Sequence, residues 1–458
     1  MKKIFLGLGF TIYSVIALSQ SITQKLQKAF QQFENDPQLQ AAISSLYVID
    51  AKTGKPVFEK NASIGLAPAS TQKIITSVTA FELLGKDYRY KTEFAFEGDQ
   101  LVIIPGGDPT FGSWRWNKEE ARALLNRVVQ SVTKTKPSIS GIVIDDRDWE
   151  NGDIPDGWIW QDIGNYYGAG AGILNWRENQ FDLVLSSGSK IGDPVQIVKT
   201  EPSLFDYELN SVAVAARKGS GDNAYIYFPV SSDKGLVKGT IPVDEKSFTI
   251  SGSLPSGSGQ FIGELSEAIS RSNFDPPGAA TSARYLNKNI DRKNLKVLHT
   301  ETSPALDSII YWFNKKSINL YGEALIKTIA LEKRGFGASD TGLAILTDFW
   351  KQQGLDEREL NMYDGSGLSP LNRVTTHAQV EILKYAKAKS WYPAFFDALP
   401  EYNNMKMKSG TINGVKGFCG YHKSKDGQEY IFSFLVNNYN GRASTLVSKM
   451  YKVLDVLK

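Results

Sequence analysis

The two ends of this chain share one kind of sequence, and a long segment of different composition separates them. Residues 22–33 and 69–84 have the apolar spacing of helices, and residues 46–49 and 57–58 resemble paired strands. Helical patterns return after residue 300, followed by a predicted strand hairpin over 415–437 and a helix over 444–457. Residues 86–300 are instead rich in Gly, Ser, Asp and aromatic residues, with short β-like runs. The pattern predicts one α+β domain that is interrupted by a β-rich insertion.

The first residues of the chain resemble a cleaved export signal. Lys2 and Lys3 precede an apolar run over residues 4–18, and Ala17-Leu18-Ser19 has the small-x-small form of a cleavage site. The alternative is a membrane anchor, but the apolar run is short for a bilayer span. We therefore expect a signal peptide over residues 1–19, export across the inner membrane, and a periplasmic protein with at most peripheral membrane contact.

The composition restricts the chemistry that the chain can carry. The 458 residues include 52 Lys and Arg against 49 Asp and Glu, without a basic block, which argues against a nucleic-acid partner. Cys419 is the only cysteine, so no intrachain disulfide can form, and its apolar neighbours predict a small buried hydrophobe. The three histidines lack the spacing of zinc ligands. We expect neither a metal nor a cofactor.

A serine and a lysine at the start of a predicted helix are the first candidate catalytic pair. Ser70 and Lys73 are three residues apart, so one helical turn places them on the same face. A lysine whose pKa is lowered by burial can accept the proton of a serine hydroxyl. The spacing alone is weak evidence, because three other pairs share it: Ser131/Lys134, Ser187/Lys190 and Ser231/Lys234. Only Ser70 opens a long apolar helix.

Two later segments complete an ordered set of motifs. Ser317-Ile318-Asn319 lies in a predicted turn between helices, where both polar side chains can project to one side. Lys408-Ser409-Gly410-Thr411 precedes the late hairpin and is expected on a strand, where Gly410 permits close backbone approach. The order Ser-x-x-Lys, Ser-x-Asn, Lys-[Ser/Thr]-Gly is the signature of penicillin-binding proteins and β-lactamases.

Beyond this trio, the sequence resembles the class C low-molecular-mass penicillin-binding proteins, which are D-alanyl-D-alanine carboxypeptidases and endopeptidases. The resemblance includes the segments 106–110, 158–162 and 364–375, and the gap of about 240 residues between Lys73 and Ser317. It departs from the family at Ile318, where Asp is usual, at Ser409, where Thr is commoner, and at Gly322, where Ala is usual. No motif residue with a functional side chain is lost.

The resemblance implies a penicillin-binding-protein/β-lactamase-like transpeptidase fold, with an antiparallel sheet flanked by helices and two β-rich inserted domains. We assign residues 20–85 plus 301–458 to the peptidase domain. Residues 86–161 plus 256–300 form the first inserted domain, and residues 162–255 form the second. The family's substrates are peptidoglycan peptides, from which terminal D-Ala is released or cross-links are cut, and β-lactam antibiotics acylate the same serine.

The resemblance also implies a role for each motif residue. Ser70 is the nucleophile, Lys73 the general base and Ser317 a proton relay. Asn319 binds the substrate amide, and Lys408, Ser409 and Thr411 bind the region of its terminal carboxylate. Backbone N–H groups of Ser70 and Thr411 form the oxyanion hole. The alternatives are a serine β-lactamase, which would turn penicillin over rapidly, and a non-catalytic cell-envelope binding module, which penicillin would not label.

Overall fold

The computed structural model describes residues 21–135, 138–230, 232–272 and 277–458. The predicted signal peptide over residues 1–19 lies outside these ranges. The described residues contain the following α-helices: α1 (Ile22–Glu34), α2 (Lys73–Leu84), α3 (Glu120–Thr135), α4 (Trp160–Ile163), α5 (Gly257–Ser270), α6 (Leu306–Lys316), α7 (Asn319–Arg334), α8 (Ser339–Gln352), α9 (Thr376–Lys387), α10 (Tyr392–Ala398) and α11 (Ala443–Leu454).

The strands fall into one six-stranded sheet and several smaller ones. They are β1 (Ile43–Asp50), β2 (Pro56–Lys60), β3 (Lys91–Glu97), β4 (Gln100–Ile104), β5 (Gly141–Ile144), β6 (Gln180–Ser186), β7 (Gln196–Glu201), β8 (Glu208–Ser211), β9 (Val214–Ala216), β10 (Asn223–Tyr227), β11 (Lys234–Pro242), β12 (Phe248–Ser253), β13 (Ala280–Ser282), β14 (Lys296–Thr302), β15 (Leu360–Asn361), β16 (Arg373–Val374), β17 (Glu401–Tyr402), β18 (Met405–Ile412), β19 (Val415–Lys423) and β20 (Glu429–Asn437).

The six-stranded sheet joins the two ends of the chain. Its order is β17-β18-β19-β20-β1-β2, and the N-terminal strand β1 pairs antiparallel with β20 from the C-terminal part. The sheet is fully antiparallel. One face packs on α1 and α11 through side chains such as Phe30 and Met450, and the other packs on the group of helices that includes α2, α6, α7 and α9. The sequence prediction of an α+β fold with an antiparallel sheet flanked by helices is confirmed.

Helix α2 runs through the middle of the core that lies between the six-stranded sheet and the helices α6, α7 and α9. Its residues from Lys73 to Phe81 are all buried, so the helix is covered around its whole circumference rather than on one stripe. Helix α7 is similarly buried from Asn319 to Ala330 and packs against α2. Gly85 ends α2 with a φ of 86°, a conformation that favours glycine. Two central helices therefore carry motif residues into the interior.

The middle of the chain forms further sheets with cores of their own. A five-stranded sheet has the order β13-β5-β4-β3-β14 and packs on α3 and α5 around Trp176 and Phe261. The strands β12-β6-β7 form a second sheet, and β10-β11-β8, with β9 beside β11, form a third; these two share a core around Ile226 and Val237. The middle is β-rich, as the sequence predicts, while the domain boundaries given above remain a prediction.

One local expectation was wrong. Ser70 does not open the apolar helix α2 itself, because it lies inside a 3₁₀ turn over Ala69–Gln72 that precedes α2. Helix α3 begins at Glu120, and the Trp116 indole before it donates a hydrogen bond to Ser308 in α6 at 2.8 Å. Over the described ranges, no helix combines the length and the apolar character needed to cross a bilayer.

Candidate active site

Ser70 lies on a tight turn that two glycines hold in place. The residue before it, Ala69, has a φ of 47°, which is uncommon for a residue with a Cβ. Gly410 of β18 passes so close that a Cβ there would lie 2.5 Å from the Pro68 carbonyl oxygen and 3.0 Å from the Ser70 nitrogen. A Cβ on Gly367 would lie 2.0 Å from the Ala69 carbonyl oxygen. The backbone of β18 at Gly410 and the backbone of the loop at Gly367 therefore pack directly against the turn that contains Ser70.

Lys73 is the first residue of α2 and its ammonium group lies in the core. Its Nζ lies 3.1 Å from Ser70 Oγ, 2.6 Å from Asn319 Oδ1 and 2.7 Å from the Ser366 carbonyl oxygen. Burial lowers the pKa of Lys73 to about 7, against the raising effects of Asp364 and Glu323. Near neutral pH a large fraction of Lys73 is therefore a neutral amine.

The partners of Lys73 determine where its lone pair points. The Ser366 carbonyl can only accept, and Asn319 presents Oδ1 because its Nδ2 donates to the Tyr167 carbonyl at 2.7 Å. A neutral amine has two N–H groups, which these two acceptors use. The remaining lone pair must then face Ser70 Oγ, the geometry required of a base that removes the hydroxyl proton.

Ser317 and Lys408 form a second serine–lysine pair. Ser317 ends α6 in the left-handed conformation, with a φ of 57°. Lys408 Nζ donates to Ser317 Oγ at 3.0 Å and to the Ser409 carbonyl at 2.9 Å. Lys408 is buried, and burial together with the charge of Lys73 holds its pKa well below the usual lysine range. Ser317 also lines the cleft that contains Ser70.

The remaining motif residues, Ser409 and Thr411, lie on strand β18 near one edge of the six-stranded sheet. Thr411 is exposed and lines the cleft, whereas Ser409 is half-buried and does not line it. Strand β17 pairs with β18 only as far as Lys406. Beyond it, no described strand pairs with that edge of β18, so its backbone groups remain available to an extended peptide.

The loop after α8 contributes residues that the sequence motifs did not assign to the site. Asp364 is fully buried, and its carboxylate accepts hydrogen bonds from the backbone N–H groups of Gly367 and Ser369 and from the Trp158 indole. The side chain of Gln72, two residues after Ser70, donates to the Asp364 carbonyl and carboxylate. This network fixes the loop whose Ser366 carbonyl holds Lys73. The segment contributed to the family resemblance, but sequence reasoning gave it no role.

Glu323 is a second residue that sequence reasoning missed. It lies four residues after Asn319 on α7, so a helical turn places both side chains on one face. Its Oε2 accepts the Gly365 N–H at 2.8 Å, and the side chain is buried. Burial and the nearby Asp364 raise the pKa of Glu323 to about 8. The i, i+4 spacing from Asn319 was the available clue.

Several of the motif residues line a cleft of about 770 Å³. One wall carries Ser70, Ser317, Asn319 and Thr411. The opposite wall comes from the middle of the chain and includes Ile159, Asp162, Tyr166, Tyr167 and Tyr225. Within the described ranges, no cluster of three or more His, Cys, Asp or Glu residues has the geometry to hold a metal ion. Cys419 is fully buried, as predicted.

Comparisons with known proteins identify the family of this chain. The sequence matches the D-Ala-D-Ala carboxypeptidase 3 (S13) family over residues 26–455. A D-alanyl-D-alanine carboxypeptidase from Actinomadura sp. is 28% identical over 449 residues, which cover 90% of this chain and 81% of that protein. The D-alanyl-D-alanine carboxypeptidase DacB of Haemophilus influenzae is 21% identical over 415 residues, which cover 84% and 83%.

Solved structures show the same fold. The crystal structure of penicillin binding protein 4 (dacB) from Haemophilus influenzae superimposes with a TM-score of 0.80 at 18% identity, covering 94% of this chain and 99% of that one. A second structure of that protein, complexed with a β-lactam, has a TM-score of 0.73 at 17% identity and covers 94% and 98%. With the family match spanning nearly the whole described chain, this protein belongs to the D-Ala-D-Ala carboxypeptidase 3 (S13) family of penicillin-binding, serine-type D,D-peptidases.

Proposed function

We propose that Ser70 is the residue acylated in this D,D-peptidase and that Lys73 is its base. Lys73 Nζ takes the hydroxyl proton while Ser70 Oγ attacks the carbonyl carbon of the penultimate D-Ala. The observation that carries the proposal is the Lys73 site, where two fixed acceptors leave the lone pair facing Ser70 Oγ at 3.1 Å. The lowered pKa of Lys73 supports the same role.

The negative charge that develops on the carbonyl oxygen needs donors in place before the reaction. We assign them to the backbone N–H groups of Ser70 and Thr411, as the family resemblance implies. The close approach of Gly410 to the Ser70 nitrogen supports this assignment, because it brings the strand beside the nucleophile turn. The substrate peptide would lie along the free edge of β18 as an added strand.

Collapse of the intermediate breaks the C–N bond, and the proton that Lys73 took from Ser70 is relayed through Ser317 to the leaving D-Ala amine, which leaves Lys73 neutral again. Ser317 accepts a hydrogen bond from Lys408 and lines the cleft, so its own hydrogen can point towards the leaving group. Asn319 is assigned to the substrate amide, and Lys408, Ser409 and Thr411 to the carboxylate region. Water then attacks the acyl-serine while Lys73 accepts its proton, and Lys73 returns that proton to Ser70 Oγ as the ester C–O bond breaks.

We propose peptidoglycan stem peptides as the substrate, with release of terminal D-Ala and cleavage of D-Ala–meso-diaminopimelate cross-links, in the periplasm. β-Lactams would acylate Ser70; the β-lactam complex of the Haemophilus influenzae protein, which shares this fold, supports that expectation. The free strand edge and the large cleft suit an extended peptide rather than a compact small molecule.

The test uses purified protein, a pentapeptide, intact peptidoglycan and a labelled penicillin. Wild type is expected to release D-Ala and to form one stable penicilloyl adduct per molecule, whereas Ser70→Ala should do neither. Ser131→Ala serves as the matched control, since that serine shares the Ser-x-x-Lys spacing but donates to the Arg127 carbonyl on α3. Labelling that persists in Ser70→Ala would refute the nucleophile, and rapid penicillin turnover would indicate a β-lactamase instead.

A further inference from the structure

A lysine outside the motifs contacts a residue that lines the cleft. Lys416 lies on β19 directly opposite Thr411 of β18. Its Nζ donates a hydrogen bond to Thr411 Oγ1 at 2.7 Å. Thr411 lines the same cleft as Ser70, so this ammonium group is separated from the proposed substrate site by one hydroxyl. The mechanism above assigns Lys416 no role.

The surroundings of Lys416 lack a counter-ion. The side chain is half-buried, and its Nζ lies 4.9 Å from the centre of the Phe418 ring. Burial lowers the pKa of Lys416 to about 8, and no acidic residue in the described chain acts on it. The charge of Lys416 in turn lowers the pKa of Lys408. A partly buried cation without an acidic partner is costly, and an anion that arrives in the cleft relieves that cost.

We propose that Lys416 is a specificity-determining residue that binds, together with the Thr411 hydroxyl, the C-terminal carboxylate of the substrate. The inference rests on the proposed function, since it takes the substrate to lie along β18. Thr411 Oγ1 accepts from Lys416, so its own hydrogen is free to donate to a carboxylate oxygen. The short turn between Ile412 and Val415 keeps the two side chains in register.

The chemistry of the reaction limits when Lys416 can act. The carboxylate belongs to the D-Ala that leaves during acylation, so it is absent from the acyl-serine. Lys416 should therefore affect substrate capture and acylation but not hydrolysis of the acyl-enzyme. A residue that only maintains the hairpin would not separate these two steps, nor would it distinguish a charged substrate from its neutral analogue.

The experiment compares an acyl-D-Ala-D-Ala dipeptide with its C-terminal carboxamide. The ratio of their kcat/KM values is measured for wild type, Lys416→Met and Lys416→Arg. We expect Lys416→Met to reduce the preference for the free carboxylate by about tenfold to a hundredfold, the range of one charge-assisted hydrogen bond. Lys416→Arg should retain most of that preference, and the acyl-Ser70 intermediate formed from the dipeptide should be hydrolysed at the wild-type rate in both variants.

The ratio does not depend on the fraction of active protein, so partial misfolding does not alter it. Lys423→Met is the matched control, because it removes one positive charge from an exposed position on the same strand and should leave the ratio unchanged. If Lys416→Met kept the wild-type ratio of kcat/KM values for the dipeptide and its carboxamide, only the inference about Lys416 would be overturned. A wild-type enzyme that does not distinguish the two substrates would overturn it together with the proposed carboxylate site on β18.

Discussion

The two walls of the cleft are built differently. On the wall from the six-stranded sheet and its helices, Lys73, Lys408 and Asn319 are buried and hydrogen-bonded to fixed partners. On the wall from the middle of the chain, Ile159 and Tyr166 are exposed apolar or aromatic side chains, and Tyr166 is 52% exposed.

The difference indicates that the two walls contribute differently to reactivity and to substrate selection. Reactive groups need a dry, preorganised setting that shifts their pKa values, and such a setting requires close packing on every side. Exposed aromatic rings cannot shift a pKa, but they offer contact area to a large substrate. We therefore expect changes in the first wall to alter the chemical step and changes in the second to alter the binding of polymeric substrate.

The largest effect is expected at Lys73. Lys73→Met keeps the apolar stem but removes the base, so acylation by pentapeptide should slow by about 10²–10⁴-fold or more. Pre-steady-state acylation rates measure this directly. Lys86→Met, at an exposed lysine just after α2, should acylate at the wild-type rate. Near-normal D-Ala release by Lys73→Met would contradict the assignment of the base.

Gly410 should show the next largest effect. Gly410→Ala places a Cβ against the Pro68 carbonyl and the Ser70 nitrogen, which displaces the strand from the nucleophile turn. Loss of an oxyanion donor typically costs about 10²–10³ in rate, and we expect a loss of that order in acylation.

The control for Gly410 is its partner across the strands, Gly417. A Cβ on Gly417 would meet the Leu435 side chain at 2.5 Å, and a side chain can move more easily than backbone. Gly417→Ala should lower the melting temperature yet keep most of the acylation rate. Equal rate losses in the two variants would indicate general misfolding instead of a specific oxyanion defect.

The pH dependence tests the electrostatics of the buried wall. Lys73 is protonated below its pKa of about 7, and an ammonium group cannot accept the Ser70 proton. The kcat/KM for a pentapeptide should therefore fall about tenfold per pH unit below pH 7 and level off above it. A rising limb centred near 10, the ordinary lysine value, would show that the buried setting does not lower this pKa.

The smallest effect is expected on the exposed wall. Tyr166→Ala removes an exposed aromatic ring that lines the cleft and lies 5.3 Å from Tyr167, measured between ring centres. We expect KM for intact peptidoglycan to rise a few-fold, with little change in penicillin acylation. Tyr285→Ala, at an exposed tyrosine outside the lining of the cleft, is the control. A large loss of penicillin acylation in Tyr166→Ala would remove the distinction between the walls.

The sequence by itself determined the fold class and the motif residues that line or adjoin the cleft. Periodicity identified the central helices, because burial imposes a repeat that is visible in one dimension. The order of the motifs selected Ser70 among four equivalent spacings. In the structure, Ser131 and Ser187 donate to backbone carbonyls instead of facing a lysine, and Ser231 lies outside the described residues.

Only the tertiary structure decided which groups surround these residues. The lone pair of Lys73 is aimed by the Ser366 carbonyl, which is 293 residues away in sequence, and the Ser366 loop is held by the buried carboxylate of Asp364. Glu323 and Lys416 belong to no motif, and their importance depends on burial and on a partner across a strand or helix. Desolvation and long-range hydrogen bonds arise from packing, so no local sequence pattern encodes them.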